Sequence, residues 1–296
     1  MSDYILEKEA YPIGKDLDGV EHTTEDLHQL LLKILLELDR VCRKNNIPYA
    51  IAYGSALGAY NYAGFIPWDD DIDAAIDYFD LPRLIEALKK DLSDEFTFDS
   101  YETDKRYNVL IPTIKIRYKE SYLLEKNSYT LPNRCHNSDG FFLDVIALVG
   151  TPEDPKERKK ILKYAKNRMP LYTFFDSLLR IHPHLIKKSL KKYERKIAEK
   201  YKDSKFVSQT PIIPFQDWGL SSHTDVYPKD IIYPFKEYDF EGHKIYSFNN
   251  IEEFCRTRYG EEGMKKWDGE KWYDPFPKEK RQFKHLVKYS LSRKKK

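Results

Sequence analysis

The sequence predicts a mixed fold of the α/β or α+β class, and three observations carry that reading. TTEDLHQLLLKILLELDRVCRKNN has the spacing of one long amphipathic helix. Short apolar runs of strand character follow it at IPYAIAYG, within DDDIDAAID, in NVLIPTIKIRY and in GFFLDVIALVG. A further helical pattern, Leu81 to Leu88, falls among them, so helices and strands are mixed along one chain.

The first helix begins on a capping-box pattern, Thr23 followed three residues later by Asp26. Leu27, Leu30, Leu31, Ile34, Leu35, Leu38, Val41 and Cys42 recur at helical spacing, and Lys44-Asn45-Asn46 ends it. Ile47 to Gly54 reads as a strand, Ser55 to Tyr60 as a short helical turn, and Asn61 to Gly64 as a loop. Asp70 to Ile76 reads as a second strand. The helix over 81–88 carries Pro82, which a first turn accepts. Val109 to Tyr118 and Gly140 to Gly150 are strand-like, the latter with a single acid, Asp144, inside an apolar run. From Pro152 to about Lys205 the chain is helical and basic. The stretch from about Thr210 is rich in Pro, Tyr and Trp and reads as less regular. We expect one domain over 1–296: a core at about 21–150, a basic helical insertion at about 152–205, and a C-terminal region at about 210–296.

Composition narrows the function classes. The 296 residues are 41% hydrophobic, enough for a sizeable core, and 33% charged with a net charge of only +2. That balance argues against wholesale nucleic-acid binding. Tyrosine, at 23 residues, suits surfaces for sugars, nucleobases or organic cations as well as cores. Cys42, Cys135 and Cys255 form no C-x-x-C pair, so neither a disulfide framework nor a zinc site is expected. MSDYILEKEAYPIGKDL is charged throughout, without a signal-peptide core, and no run of about 20 apolar residues occurs. A cytoplasmic location is the expectation.

The chemistry is concentrated in GFIPWDDDIDAAID, where Asp69, Asp70, Asp71, Asp73 and Asp77 stand among Phe65, Ile66, Trp68, Ile72 and Ile76. Like charges this close repel, so a cation is expected among them. A solvated acidic loop does not explain the regular apolar flanks. A calcium loop would place Asp69, Asp71 and Asp73 at its first, third and fifth positions, but Ala74 stands where that loop needs Gly, and Gly64 and Pro67 leave no entering helix. The third reading is a catalytic Mg²⁺ or Mn²⁺ site. Residues i and i+2 of a strand share a side, so Asp71 and Asp73 would present two carboxylates to one ion, with Asp144 as the third acid. Gly54-Ser55, between a strand and a helical turn, is suited to holding phosphate on backbone N–H groups. This order is the plan of a nucleotidyltransferase-like site.

The same residues resemble the LicD family, whose bacterial members transfer phosphocholine and whose eukaryotic relatives include fukutin and fukutin-related protein. YGSALGAYNYAGFIPWDDDID (Tyr53 to Asp73) is similar to the family signature almost position by position. TIKIRYKES, GFFLDVIAL and YPKDIIYPFKEYDFEGHKIYSFNNIEEFCRTRYG continue the likeness, which spans about Glu21 to Gly260. Ser247-Phe248 departs from it, where the family commonly carries a proline. The resemblance implies a nucleotidyltransferase-like mixed β-sheet and transfer of a phospho-alcohol from a CDP-linked donor such as CDP-choline. The acceptor would be a sugar hydroxyl of a cell-envelope glycan or its lipid-linked precursor, and CMP would leave.

Under that reading Asp71, Asp73 and Asp144 would hold Mg²⁺, Asp144 being either a ligand or the general base. Gly54, Ser55, Lys115 and Arg117 would contact donor phosphate. Asp69 and Asp70 would bind a second metal or cap backbone N–H groups. Trp68, with Tyr62, Phe65 and Trp218, is a candidate for the choline head group, although each ring also suits packing. His223 and His243 read as core or surface residues, and adjacent Cys135-His136 would point apart. Glu241 and Gly242 suggest a turn. The cluster Lys187, Lys188, Lys191, Lys192, Arg195 and Lys196 reads as a solvated helix face, with peripheral membrane contact as the competing reading. A nucleotidyltransferase using an NTP and a non-catalytic metal-binding scaffold remain as alternatives.

Overall fold

A computed structural model of the chain describes residues 10–105, 107, 113–124, 139–175, 179, 181, 183–209, 226–264, 286 and 288–292. Strands β1 (Pro12–Lys15) and β2 (Glu21–Thr23) pair antiparallel and lead into helix α1 (Thr24–Lys44). The Thr23 N–H donates to the Asp26 carboxylate at 2.9 Å, which closes the predicted cap. The apolar stripe of α1 is buried along its length. Next come β3 (Ala50–Ile51), α2 (Tyr53–Tyr62), β4 (Asp73–Asp77), α3 (Leu81–Asp91), β5 (Phe96–Ser100), β6 (Ile114–Tyr118), β7 (Tyr122–Leu123) and β8 (Phe142–Thr151). The basic segment forms α4 (Pro155–Lys166), α5 (Met169–Thr173) and α6 (His184–Lys200). The chain closes with β9 (Phe206–Gln209), β10 (Val226–Pro228), α7 (Lys229–Ile232), β11 (Lys236–Phe240), β12 (His243–Ser247), α8 (Ile251–Gly263) and β13 (Tyr289–Ser290).

The fold is α+β, built on a mixed seven-stranded sheet around β8. On one side β8 pairs with β4 in parallel, and β3 follows β4. On its other side the first half of β8 pairs with β6, and β5 follows β6; its second half pairs with β9, and β10 follows β9. β8 is therefore covered on both edges, which fits its almost wholly apolar sequence. Helix α1 packs on β6, β8 and α3, α6 packs on β8, and α2 lies against β4, β11 and α8.

Several boundaries differ from those the sequence predicts. The strand expected over 47–54 is only Ala50–Ile51, because Tyr53 turns into the left-handed region (φ +50°) and starts α2 at once. Helix α2 runs on to Tyr62, where Ala63 ends it in a left-handed cap (φ 49°). The strand expected from Asp70 starts only at Asp73, since the chain is still leaving a turn in which the Asp69 N–H donates to the Ile66 carbonyl. Within the C-terminal region, 226–264 is regular: a hairpin, β11–β12, flanked by helices. Residues 109–112 of the predicted third strand lie outside the described residues.

Gly58 shows why α2 needs a glycine inside it. A Cβ there would stand 2.3 Å from the Gly64 carbonyl oxygen and 3.0 Å from the Ile66 nitrogen, both backbone atoms that cannot swing aside. The helix thus lies directly on the segment entering the acidic stretch. Gly58→Ala is expected to cost about 2–3 kcal/mol, overpacking outweighing the gain in helix propensity. A lower urea midpoint at unchanged slope checks this; an unchanged midpoint would show that the helix can shift.

Candidate active site

Four charged side chains stand in one row across the sheet. Asp73 on β4 is in register with Asp144 on β8, Asp144 with Lys115 on β6, and Lys115 with Asp99 on β5. Directly opposed residues project from the same face, so the sheet brings Asp73 and Asp144 side by side on neighbouring parallel strands. Both are half-buried, and Ile72 before them is fully buried. Asp71 is also half-buried, two residues ahead of β4, and Asp70 precedes it.

Lys115 and Arg117 alternate on one strand, as predicted, but both are buried inside the sheet's own charge network. The Lys115 ammonium is 1% exposed, donates to Asp144 Oδ1 at 2.7 Å and lies 3.2 Å from the centre of the Phe142 ring. The Arg117 guanidinium is 0% exposed; its Nε donates to Asp99 Oδ2 at 2.9 Å and its Nη1 to the Gly140 carbonyl at 3.0 Å. Lys115 therefore touches the edge of the acidic site, whereas Arg117 anchors β5 to the start of β8.

Helix α2 supplies the second half of the site. Its first N–H groups have no intrahelical acceptor and concentrate positive potential at Gly54 and Ser55. Gly54 faces the Asp69 carboxylate so closely that a Cβ would lie 2.6 Å from Oδ2. The buried Ser55 hydroxyl accepts the Asp73 N–H at 3.0 Å and so ties the helix N-terminus to the first residue of β4. Arg258 of α8, over the Tyr53 ring at 5.1 Å, puts another cation beside this turn.

Two contacts brace the acidic stretch that no isolated motif announces. The carbonyl of Asp69 accepts from His28 Nε2 at 2.9 Å, and the His28 ring stacks on Phe65 at 4.3 Å. The turn joining β11 to β12 is Glu241-Gly242, both at positive φ, the two-residue form that matches strand twist. Beyond turning the chain, Glu241 accepts the Phe65 N–H at 2.9 Å and donates its own N–H to the Ala63 carbonyl at 2.8 Å. Ser247, where the resemblance leads to an expected proline, donates its hydroxyl to the Ile51 carbonyl at 3.0 Å.

Of the aromatic candidates, Phe65 is core, while Trp68 and Tyr62 are half-buried and meet edge to face at 6.2 Å. Tyr11 meets Trp68 in the same manner at 5.9 Å. His243 is exposed at the start of β12. Trp218, His223, Cys135 and His136 lie outside the described residues. Cys42 and Cys255 are buried, and burial pushes the Cys255 thiol up to about 12, which leaves it no thiolate character near neutrality.

Among the described residues no three His, Cys, Asp or Glu side chains stand close enough to form a complete metal cage. The in-register pair of partly exposed carboxylates nevertheless suits a hard divalent ion. Mg²⁺ is commonly held by one or two carboxylates and completed by substrate phosphates and water. No helix among the described residues is long and apolar enough to cross a membrane.

The family model described as "LicD/FKTN/FKRP, nucleotidyltransferase domain" matches residues 46–141, which takes in α2, the acidic stretch and β6 and stops just before β8. The chain is 21% identical over 254 residues to "Lipopolysaccharide cholinephosphotransferase LicD" of Haemophilus influenzae, covering 81% of this chain and 91% of that protein. It is 33% identical over 137 residues to an uncharacterized protein of Rickettsia prowazekii, covering 44% of each chain. The glycine-led helix and the acidic stretch lie inside the matched segment, and the likeness to the Haemophilus protein runs through most of the chain: residues 46–141 match the LicD-type nucleotidyltransferase domain, and the chain as a whole is similar to a LicD protein.

Proposed function

We propose that the protein is a Mg²⁺-dependent transferase that moves a phospho-alcohol, phosphocholine first among the candidates, from a CDP-linked donor to a sugar hydroxyl of a cell-surface glycan or its lipid-linked precursor. The observation that carries this reading is the Asp73–Asp144 pair, in register on adjacent strands and tied through Ser55 to the N-terminus of α2. The similarity to a cholinephosphotransferase supports the choice of phosphocholine.

Asp73 and Asp144 would hold the metal, which when bound would neutralise the diphosphate oxygens, and Asp71, two residues ahead of β4, would add negative charge beside the pair. The N–H groups at Gly54 and Ser55 receive donor phosphate, and Lys115 keeps the Asp144 carboxylate oriented from the buried side. The acceptor oxygen forms a bond to the phosphorus that carries the alcohol. The bond from that phosphorus to the bridging oxygen breaks, and CMP leaves with the bridging oxygen. The acceptor proton passes to a carboxylate of the site, for which Asp144 is our candidate. Trp68 and Tyr62, half-buried and packed edge to face, would be the rings that meet a quaternary ammonium group.

The test compares CDP-choline, CDP-glycerol, CDP-ribitol, CTP and CMP with the purified protein and Mg²⁺. A donor at a hundred times its dissociation constant stabilises by about 2.7 kcal/mol. We expect a Mg²⁺-dependent rise in melting temperature that is larger for CDP-choline than for CMP, and CMP as the product once a glycan acceptor is added. A second reading, NMP transfer from an NTP, is favoured by the nucleotidyltransferase description of the matching domain. A shift with CTP alone, and pyrophosphate as product, would establish that reading and sink ours.

A further inference from the structure

We propose that the helical hairpin of α4, α5 and α6 is a docking surface for an anionic phospholipid bilayer. The proposal is independent of the transfer chemistry and rests on side chains outside the acidic site.

Five of the nine large apolar side chains exposed among the described residues fall between 171 and 185: Leu171, Phe174, Leu179, Ile181 and Leu185. Leu185 is 78% exposed, more than any other large apolar side chain described. The Leu179 N–H donates to the Phe174 carbonyl at 3.1 Å, and the Ile181 N–H to the Phe175 carbonyl at 2.9 Å. Exposed apolar side chains gathered within one short stretch call for something to cover them.

The charge beside it indicates what. Between Pro155 and Lys200 the sequence has fifteen Lys and Arg against four Asp and Glu, in a chain whose net charge is only +2. The exposed stripe of α4 is Lys156, Lys159, Lys160, Lys163 and Lys166, at helical spacing and without an acid. The exposed stripe of α6 starts at Leu185 and continues through Lys188, Lys192, Arg195 and Lys196 to Glu199, the one acid on it. The apolar anchor and the cations of α6 thus share one face, while Leu190, Ile197 and Ala198 on its other side are buried. The predicted solvated face is partly corrected here: Lys187 is buried, its ammonium donating to the Tyr107 carbonyl. Tyr164 stacks on Tyr193 at 3.8 Å and its hydroxyl meets Ser189 at 2.8 Å, which holds α4 beside α6. Two lysine stripes flanking an apolar tip are the arrangement of an interfacial anchor, in which lysines meet anionic headgroups and the tip enters the acyl boundary. A nucleic acid would engage the lysines and leave the tip in water.

The experiment is sedimentation of the full chain with phosphatidylcholine vesicles and with vesicles containing a quarter phosphatidylglycerol. We expect at least tenfold tighter binding to the anionic vesicles, weakening as salt rises. The variant Phe174→Ser/Ile181→Ser/Leu185→Ser keeps every charge and should lose at least tenfold in binding. Its melting temperature should fall by only a few degrees, because the three side chains are 45%, 55% and 78% exposed. In a Leu185→Trp variant, emission at position 185 should be quenched by brominated acyl chains. Absence of binding to both vesicles, equal binding to both, or undiminished binding of the triple variant would each overturn the proposal. Displacement by soluble polyglutamate without acyl-chain quenching would do the same, and would point to an acidic protein instead.

Discussion

Asp73→Asn is expected to lower the rate of transfer roughly a thousand-fold, equivalent to about 4 kcal/mol of transition-state stabilisation, while leaving the fold nearly as stable as before. The reason is the register. Asp73 and Asp144 are directly opposed on adjacent parallel strands, whose axes lie about 4.8 Å apart. Two carboxylates so placed repel, and the single Lys115 ammonium, bound on the Asp144 side, offsets only one of the two charges, so removing the Asp73 charge should cost the resting protein little and disable the loaded one. Asparagine keeps the shape, and the backbone N–H of residue 73 still reaches the Ser55 hydroxyl. Asp144→Asn should behave differently. It removes the carboxylate that the buried Lys115 ammonium meets at 2.7 Å, so it should cost stability as well as turnover. CMP release and urea midpoints measured on both variants separate the two effects. If Asp73→Asn kept a tenth or more of the turnover at saturating Mg²⁺, the acids would not be the centre of the chemistry.

What could be read in advance follows the range of the interactions. The capped helix α1 declares itself in Thr23, Asp26 and a leucine stripe because those contacts are local. The apolar run of β8 with one acid inside it likewise marks a buried strand and singles out Asp144. The family signature locates α2 and the acidic stretch within a few residues. Register is another matter. Nothing in the spacing of Asp73 and Asp144 says that they face each other, because parallel pairing is set by the twist and packing of the whole sheet. Asp99 stands in the polar stretch EFTFDSYE and has no signal of its own; its significance comes from Arg117 across the β5–β6 pair. Lys115 and Arg117 suggest solvated or phosphate-facing residues until the sheet closes over them. Lys187 suggests one more lysine on a wet face, and only the Tyr107 carbonyl shows why it is inside. Glu241 could be predicted as a turn residue, but not as the acceptor for Phe65, which lies 176 positions away.

Arg117→Met is expected to destabilise the protein by about 3–5 kcal/mol, the cost of leaving a buried charge without its counter-ion. Asp99 is 1% exposed and its Oδ2 receives the Arg117 Nε–H, so the substitution strands that carboxylate inside the sheet without its arginine. Methionine fills much of the same volume, which separates the loss of charge from the loss of packing. The double variant Asp99→Leu/Arg117→Met removes both charges and should cost clearly less than Arg117→Met alone, because pairs of this kind contribute little once their desolvation is counted. A double-mutant cycle read from urea midpoints measures the difference as coupling between the two residues. The double variant should nonetheless fall short of the wild-type rate. Arg117 also holds the Gly140 carbonyl at 3.0 Å, two residues before β8 begins, and Asp144 lies four residues further on. Loss of that anchor loosens the start of the strand that carries Asp144. A double variant that recovered both full stability and full turnover would show that the acidic pair keeps its geometry without the charge network beside it.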